Sequence, residues 1–328
     1  MPILQGDDPR SIDKAVAALQ AGQLVGLPTE TVYGLAARAD DDEAVARIFA
    51  AKSRPSDHPL IVHVHSLEAA EHLCEELPPM ARQLAGRFWP GPVTLVVRRR
   101  QGVAHAAAAG LSTVGLRCPD HPVAHAVLRS LAQRGIYGVA APSANRFGRV
   151  SPTLASHVAS EFGPELIVLD GGPCREGIES AIVDCSRPAP YLLRPGTVSR
   201  EALQSALGVP LLDPDRASPR VSGSLASHYA PSAAVELLTG EQLSARLEQR
   251  SLQGAPAPVG VYSRERAAEQ PGLVWCKMPD NPGLVAHELF AVLRHFDEQR
   301  VGSIWVEALP RSQAWDGVRD RLQRASVR

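Results

Sequence analysis

Short apolar runs alternate with segments of helical periodicity along most of this chain, and that alternation restricts the fold more than any other feature. Val45, Ile48 and Phe49, for example, recur at the spacing of a helix that begins at Asp42. Strands are predicted at 24–27, 60–64, 93–97, 113–117, 136–141, 166–169 and 181–184, and further helices at 11–22, 67–76, 79–88 and 122–133. The pattern indicates an α/β sheet covered by helices. Its irregular spacing leaves room for antiparallel strands.

The composition changes near residue 208, which divides the sequence into two parts. At 328 residues the chain exceeds the usual size of one domain, so two domains are expected. We predict an α/β domain at 1–207, a linker rich in proline, serine and charge at 208–232, and a smaller α/β domain at 233–328. In the last part, strands are predicted at 235–238, 259–262 and 304–306, and helices at 241–250, 283–298 and 313–324.

Charge and composition argue against several functional classes. Lys and Arg number 34 and Asp and Glu 35, a net charge of −1, which is unlike a protein that coats nucleic acid. No apolar run is long enough to cross a bilayer and no signal segment is visible, so a cytoplasmic protein without membrane contact is expected. The five cysteines form no Cys-x-x-Cys pair and are expected to be reduced, neither a disulfide frame nor a zinc site.

The opening third of the sequence carries a polar turn followed by two cations. In the turn, Gly26-Leu-Pro-Thr-Glu-Thr-Val-Tyr-Gly34, the glycines would let the backbone approach a ligand closely. Lys52 and Arg54 come next, and an extended backbone would point both side chains the same way. The prolines after them would make this pair a rigid cationic fork suited to phosphate oxygens. Because no Walker motif is present, we expect a nucleotide or polyanion pocket of another type.

Other polar side chains follow the predicted strands, where α/β proteins place their ligands. Arg117 ends one strand, Ser143 and Asn145 follow another, and Arg194 ends a third. Each also has a purely structural interpretation, because single arginines are often surface ion-pair partners and Ser and Asn often form turns. His63, within an apolar strand, is more often a hydrogen-bonded core histidine. The pairing of the cationic fork with the Ser-x-Asn segment favours the pocket.

Together these motifs resemble the threonylcarbamoyl-AMP synthase family, whose N-terminal part is the YrdC-like domain. The matching stretches are Pro28–Gly34, Lys52-Ser-Arg-Pro55, His58–His63, Trp89-Pro-Gly-Pro92, Thr113–Arg117, Ala141–Asn145, Ser151-Pro-Thr153 and Leu193–Gly196. His228-Tyr-Ala-Pro231 and the trailing domain resemble the long, two-domain form of the family. The resemblance implies a YrdC-like twisted mixed sheet covered by helices, followed by a smaller Rossmann-like α/β domain.

The resemblance implies a nucleotidyltransferase that makes L-threonylcarbamoyl-adenylate from L-threonine, bicarbonate (or CO2) and ATP and releases pyrophosphate. Other proteins then transfer the threonylcarbamoyl group to tRNAs that read ANN codons. By resemblance, the residues that hold L-threonine are Thr31, His63, Arg117, the Ala141 backbone and Ser180. Those that hold ATP are Lys52, Arg54, His58, Thr113, Ser143, Asn145, Ser151, Arg194 and Tyr229. Lys52, Arg54, Ser143 and Asn145 match the polar tetrad of the family's reaction centre.

The chemistry of these residue types suits that reaction. A carboxylate, a carbamate and a triphosphate must meet, and fixed cations would offset their repulsion. Mg²⁺ is expected with ATP, held mainly by the nucleotide and water because no dedicated carboxylate cage is visible. A lid that excludes water would protect the labile carbamate, and the linker with Tyr229 is the candidate lid.

Two positions depart from the family pattern, and two other functions are compatible with parts of the sequence. Ala181 replaces a second hydroxyl residue after the serine, and the linker lacks a Pro-Gly-Met segment. An RNA-binding or ribosome-maturation module is the alternative of a different class, and a weak contact with RNA is left open. A carbamoyl-adenylate former of the hydrogenase-maturation type is a closer rival, but the zinc-finger cysteine pairs of that type are missing here.

Overall fold

The computed structural model describes residues 3–223, 225, 227–252, 257–265 and 269–327. The chain forms two compact units: Met1–Phe147 with Ser151–Ser224, and Gly148–Val150 with Leu225–Arg328. Residues 208–223 of the predicted linker thus belong to the first unit, while Ser224 and Ala226 lie outside the described residues. No helix in the described ranges is both long and apolar enough to cross a membrane.

The first unit is built on one mixed sheet. Its strands, in spatial order, are β1 (Ile3–Gln5), β8 (Ile167–Asp170), β2 (Val25–Leu27), β3 (Gly34–Arg38), β7 (Val139–Ala140), β4 (Ile61–His63), β6 (Thr113–Arg117), β5 (Val93–Arg98), β9 (Ala181–Asp184) and β10 (Tyr191–Arg194). β1, β8 and β2 run parallel, whereas β3 is antiparallel to both of its neighbours. The predicted mixed α/β sheet is confirmed.

Helices cover both faces of this sheet. They are α1 (Pro9–Gln20), α2 (Asp42–Lys52), α3 (Leu67–Glu71), α4 (Pro79–Phe88), α5 (Pro122–Ala132), α6 (Ala155–Phe162) and α7 (Arg200–Leu207). Successive residues of β3 enter different apolar clusters, as the alternation of a strand requires. Leu35 packs in the cluster that contains Ile48 of α2, and Ala36 packs in the cluster that contains Leu19 of α1.

Several predicted element boundaries were wrong for local reasons. α1 begins at Pro9 because Asp8, and not Ser11, caps it by accepting from Arg10 N at 3.0 Å. α3 stops at Glu71 because the following chain pairs with the end of β5, with Glu75 N donating to a β5 carbonyl at 3.0 Å. The strand predicted at 136–141 is reduced to the two residues of β7. The opening of α2 at Asp42 agrees with the prediction.

The second unit is a parallel α/β sheet. Its strands lie in the order β11 (Ala234–Leu238), β14 (Ser303–Glu307), β12 (Val259–Ser263) and β13 (Leu273–Lys277), and its helices are α8 (Gly240–Ser251), α9 (Pro282–Glu298) and α10 (Asp316–Ser326) after a 3-10 turn at Gln313–Trp315. All pairings are parallel, which confirms the smaller Rossmann-like α/β domain. β13 escaped prediction because it is a half-exposed edge strand. Four of the five cysteines are buried, and all five are free thiols.

Candidate active site

The two cations of the fork lie at the end of helix α2 and not on an extended strand. α2 ends at Lys52, and Ser53 adopts a left-handed conformation with a φ of 52°. Ser53 N donates to Ala50 O at 3.1 Å and Arg54 N donates to Phe49 O at 3.0 Å, which closes the helix. The predicted extended backbone is therefore wrong. A left-handed residue at the helix end sets the directions of the two side chains.

Lys52 is buried, and its ammonium group faces backbone oxygens. Nζ donates to Ser143 O at 2.6 Å and also to Asn145 O. Burial and, next, the charge of Arg54 lower the pKa of Lys52 well below its usual 10.5. Across the described ranges no carboxylate lies within ion-pair distance of Nζ. An anion that entered here would favour the charged ammonium.

The segment 142–145 is fixed beside strand β3, which places it at Lys52. Gly34 pairs with Ser143, and Ala144 N donates to Tyr33 O at 2.8 Å. Asn145 is 1% exposed, and its Nδ2 donates to the carbonyl of the next residue at 2.7 Å. The structure thus brings three members of the predicted tetrad, Lys52, Ser143 and Asn145, into direct contact.

The Arg54 guanidinium, the fourth member of the tetrad, lies between its own loop and the linker. Nη2 donates to Pro59 O at 3.2 Å and lies 3.4 Å from Ser222 Oγ. Its Cζ lies 5.6 Å from the centre of the Phe147 ring, and the His58 ring meets the same ring edge-on at 5.5 Å. Burial and, next, the charge of Arg54 lower the pKa of His58, so its imidazole is neutral at neutral pH.

Arg194 is buried at a bulge where strand β10 shifts its register against β9. Nε donates to Ser180 O at 3.1 Å, and Nη2 donates to the hydroxyl of the same residue at 3.3 Å. Nη1 donates to Ser222 O at 2.8 Å. Gly196 permits this close approach, because a Cβ there would lie 2.3 Å from Ala181 N.

Ser222 contacts both Arg54 and Arg194, so the two arginines lie at one place in the first unit. Beside Ser222 is a small hollow of about 20 Å³, which Thr113 helps to line. Thr94 lies in the same hollow, and its hydroxyl is 2.7 Å from Ser180 Oγ. The other residues that line it are apolar apart from Arg220: they are Pro59, Leu60, Ile61, Val96, Leu111, Gly115, Ile182 and Val221.

Arg117 ends strand β6 beside a carboxylate that the sequence interpretation did not assign. Nη2 lies 2.7 Å from Glu30 Oε1, and the two side chains are 4% and 1% exposed. The N–H is not aligned for a hydrogen bond, so the pair is held by charge. Nε donates to Gly91 O at 3.3 Å. Nη1 makes no hydrogen bond within the described part of the chain, which leaves it for a substrate carboxylate.

His63 ends strand β4 directly opposite Arg117 of β6. It is 3% exposed, and its Nδ1 has no hydrogen-bond partner among the described residues. Burial and, next, the charge of Arg117 lower the pKa of His63 to about 3, so the ring is neutral at neutral pH. The backbone groups of Ile61 and Val139 partly offset this lowering, as for the core histidine of the structural alternative, while Nδ1 itself has no aligned partner among the described residues. It is available to a ligand.

Thr31 is held by a side-chain contact within its turn, and Ala141 is held by a backbone hydrogen bond to the neighbouring strand. The Thr31 hydroxyl lies 3.0 Å from Thr29 Oγ1 in the turn between β2 and β3. Ala141 N donates to Ile61 O at 3.1 Å, so the carbonyl of Ala141 is the backbone group left for a ligand. Thr31 is joined to the site through its neighbour Glu30, the partner of Arg117.

Ser151 is fully buried and donates its hydroxyl to Glu179 Oε1 at 2.5 Å. The charges of Glu161 and Glu179 partly offset the lowering of the pKa of Lys52, so Glu179 is within electrostatic reach of the tetrad. Across the residues that the structure covers, no group of three or more His, Cys, Asp or Glu side chains could hold a metal ion.

Tyr229 belongs to the second unit, where its ring is 1% exposed. The ring lies 5.5 Å from Phe290 and 4.1 Å from His228, and the Arg321 guanidinium lies 5.5 Å from its centre. These contacts place Tyr229 inside its own unit. Its assignment to ATP and to a lid stays a prediction.

Sequence reasoning missed four residues that contact the predicted site: Glu30, Thr94, Phe147 and Ser222. Glu30 lies inside the polar turn of residues 26–34. An acidic residue in a motif that was predicted to act together with cations could have indicated an ion pair. Ser222 gave no such signal, because its contact with Arg54 spans 168 positions.

Two family models match the chain. One, described as telomere recombination and covering Sua5, YciO and YrdC, matches residues 17–196. The other, described as the C-terminal domain of threonylcarbamoyl-AMP synthase, matches residues 198–327.

Curated relatives match over nearly the whole chain. The threonylcarbamoyl-AMP synthase of Pyrococcus abyssi is 38% identical, covering 95% of this chain and 93% of that protein. The threonylcarbamoyl-AMP synthase of Bacillus subtilis is 36% identical, covering 98% and 94%. The crystal structure of P. abyssi Sua5 complexed with L-threonine superposes with a TM-score of 0.85 at 36% identity, covering 96% of this chain and 94% of that one.

Proposed function

The chain belongs to the threonylcarbamoyl-AMP synthase family, and on that premise we propose that it is an adenylate-forming nucleotidyltransferase. It joins L-threonine, bicarbonate or CO2, and ATP into L-threonylcarbamoyl-adenylate and releases pyrophosphate. The observation that carries this proposal is the set of buried cations in the first unit: Ser222 contacts both Arg54 and Arg194, Lys52 contacts the segment 143–145, and Arg117 ends a strand of the same sheet. The complex of P. abyssi Sua5 with L-threonine supports L-threonine as the amino acid.

Threonine binds at the ends of β4 and β6 in this proposal. Nη1 of Arg117 receives its carboxylate, while Glu30 and Gly91 O hold the rest of the guanidinium. Neutral His63 offers Nδ1 to the amine or the side-chain hydroxyl. The Ala141 carbonyl and the Ser180 hydroxyl complete the polar contacts, and Thr31 lines the same side.

ATP binds around the tetrad. Its triphosphate lies against Lys52, Arg54 and Arg194, and replaces the contacts that Ser222 makes with the two arginines. The base lies beside Thr113, and His58 and Ser151 lie on the phosphate side. Displacement of Ser222 would tie the linker to nucleotide binding, as a lid requires.

The reaction proceeds in two bond-forming steps. The threonine nitrogen bonds to the carbon of CO2 and loses a proton, which gives the carbamate. A carbamate oxygen then bonds to the α-phosphorus, while the bond from that phosphorus to pyrophosphate breaks and pyrophosphate leaves with the electron pair. Fixed cations stabilise the negative charge that spreads over the phosphate oxygens, and positioning makes the encounter intramolecular.

Mg²⁺ accompanies ATP in this proposal and neutralises part of the triphosphate charge. The donor set fits an ion held chiefly by phosphates and water, since Glu161 and Glu179 are the carboxylates whose charges act on Lys52 and the described residues form no three-ligand cluster. The product serves the proteins that modify tRNAs reading ANN codons, and we expect the reaction to occur in the cytoplasm.

The test is formation of the product by the full chain. With L-threonine, bicarbonate, Mg²⁺ and ATP, mass spectrometry should detect a labile threonylcarbamoyl-adenylate together with pyrophosphate, and omission of threonine should abolish both. Lys52→Ala should lose the product, whereas Lys14→Ala, on the exposed face of α1, should retain it. Unreacted ATP in the complete mixture would refute the proposal.

A further inference from the structure

A cavity in the second unit has no part in the site described above. It encloses about 430 Å³, which is within the range of small-molecule sites. It lies at the amino ends of β12 and β14, where Val259 and Ser303 stand opposite each other. The last turns of α8 line it with Arg246 and Arg250. Nucleotides in α/β folds bind at the carboxyl ends of strands, so this cavity is at the other edge of the sheet.

Arg250 brings an uncompensated charge to this cavity. It is 6% exposed, and it donates from Nη1 to Ala257 O at 2.7 Å and from Nη2 to Pro271 O at 2.9 Å. Its Nε is buried without a partner, and no carboxylate in the described ranges forms an ion pair with it. Arg321, the other buried arginine of this unit, lies 2.8 Å from the carboxylate of Asp320. Burying a cation without a counter-charge is costly, so an anion that bound beside Arg250 would offset part of this free energy.

Trp305 and Arg246 complete the lining with donors. The Trp305 ring is 8% exposed, and its Nε1 is buried without a hydrogen-bond partner in the part of the chain that the structure describes. The Arg246 guanidinium lies 5.7 Å from the centre of that ring and is held at 3.1 Å by Glu236. The cavity is therefore lined by two cations and by Trp305, whose indole N–H is buried and unused.

We propose that this cavity binds the oxyanion group, phosphate or carboxylate, of a small molecule whose flat body lies against Trp305. The guanidinium groups match the two-oxygen edge of such an anion. The indole N–H and Arg250 Nε supply donors that are buried and unused. Arg250 could instead serve only to hold residues 257 and 271 against α8 by its hydrogen bonds. In that case an anion would not shift the Trp305 N–H signal, and Arg246→Gln would not change anion binding.

The indole N–H signal of Trp305 in proton–nitrogen spectra of the full chain tests the proposal. Trp305→Phe identifies this signal among those of the four tryptophans. Inorganic phosphate, citrate and AMP are the probes, each titrated through the millimolar range. We expect at least one of them to shift the signal saturably, which also separates phosphate from carboxylate as the preferred group. AMP should saturate it at a lower concentration than inorganic phosphate, because its base adds the flat body.

Arg246→Gln should raise the midpoint of that titration at least about tenfold, because one charged donor is lost. Arg311→Gln, an exposed change elsewhere in the unit, should leave the midpoint unchanged. Arg246→Gln should also leave the synthase reaction unchanged, so failure of this proposal is distinguishable from failure of the proposed function. No saturable shift with any probe, or an equal midpoint in Arg246→Gln, would overturn the anion site. AMP that binds no more tightly than phosphate would overturn the role given to the flat body.

Discussion

Lys52 and Arg117 are both buried cations of the first unit, yet the protein surrounds them differently. Lys52 donates to the backbone carbonyls of Ser143 and Asn145, whereas Arg117 lies 2.7 Å from the carboxylate of Glu30. A triphosphate carries several negative charges and a threonine carboxylate carries one. In the proposed site, Lys52 on the nucleotide side thus has no carboxylate at ion-pair distance among the described residues, while on the threonine side a carboxylate fixes the direction of the Arg117 guanidinium.

The largest expected effect comes from removing the carboxylate on the threonine side. Glu30→Gln leaves Arg117 buried without its partner and should lower the free energy of unfolding by about 3–5 kcal/mol. In the proposed site L-threonine brings a carboxylate to the same guanidinium, so it should raise the Tm of the variant more than that of the wild type. Thermal unfolding with and without L-threonine measures both. Glu43→Gln, exposed on α2, is the control and should change stability by less than about 0.5 kcal/mol. Equal threonine-induced increases in Tm for the variant and the wild type would contradict the different surroundings described for Arg117 and Lys52.

Removing the cation on the nucleotide side should affect the rate and not threonine binding. Lys52→Met keeps the length of the side chain but loses the charge near the phosphates, and we expect the rate of pyrophosphate release to fall about 10²–10³-fold. Calorimetric binding of L-threonine without ATP should stay close to that of the wild type. A wild-type rate would show that the reaction does not need the charge of Lys52. A loss of threonine affinity as large as the loss of rate would show that the two sides are not separate.

His63 should make the first unit sensitive to acid. The unfolded histidine binds a proton below its usual pKa of 6.5, but the folded one resists protonation until about pH 3. Its contribution to stability is therefore present above pH 6.5 and is lost as the pH falls toward 3, by about 2 kcal/mol at pH 5. In urea unfolding at the two pH values, His63→Gln should lose about this much less stability between pH 7 and pH 5 than the wild type. His105→Gln, at an exposed position, should behave as the wild type does, and an unaltered pH dependence in His63→Gln would contradict the account.

The smallest effect is expected where charges are exposed. Arg220 and Asp57 join the linker to the loop after α2 at 3.0 Å, but their side chains are 61% and 59% exposed. Asp57→Asn should change the free energy of unfolding by no more than about 1 kcal/mol and leave the KM for ATP unaltered. Urea unfolding and pyrophosphate-release kinetics provide the measurements. A tenfold change in KM would mean that this pair, and not the buried contacts of Ser222, controls the linker.

Much of the fold followed from local sequence. α4 was predicted at the bounds it has, because Pro79 opens it and the Trp-Pro segment after Phe88 ends it. The alternation of helices and strands identified both sheets. The edge strand β13 was missed since its residues are only partly buried.

The site was predicted less completely, because its geometry depends on contacts across the sheet. The motif around Lys52 indicated a cationic site, but its Lys-x-Arg spacing was interpreted on an extended backbone, whereas a helix ends there in a left-handed residue. Ser222 meets Arg54 and Arg194 from a distant part of the chain, which no local pattern reveals. Glu30 was visible in the motif, yet only the folded structure shows that it lies beside Arg117, 87 positions away in the chain.

A crystal structure of the full chain with L-threonine and a non-hydrolysable ATP analogue tests the central claim most directly. The account predicts the threonine carboxylate on Arg117 Nη1, the triphosphate against Lys52, Arg54 and Arg194, and Ser222 moved away from both arginines. Ligands bound away from these side chains, or a triphosphate that leaves Lys52 on the carbonyls of Ser143 and Asn145 without touching it, would contradict the account.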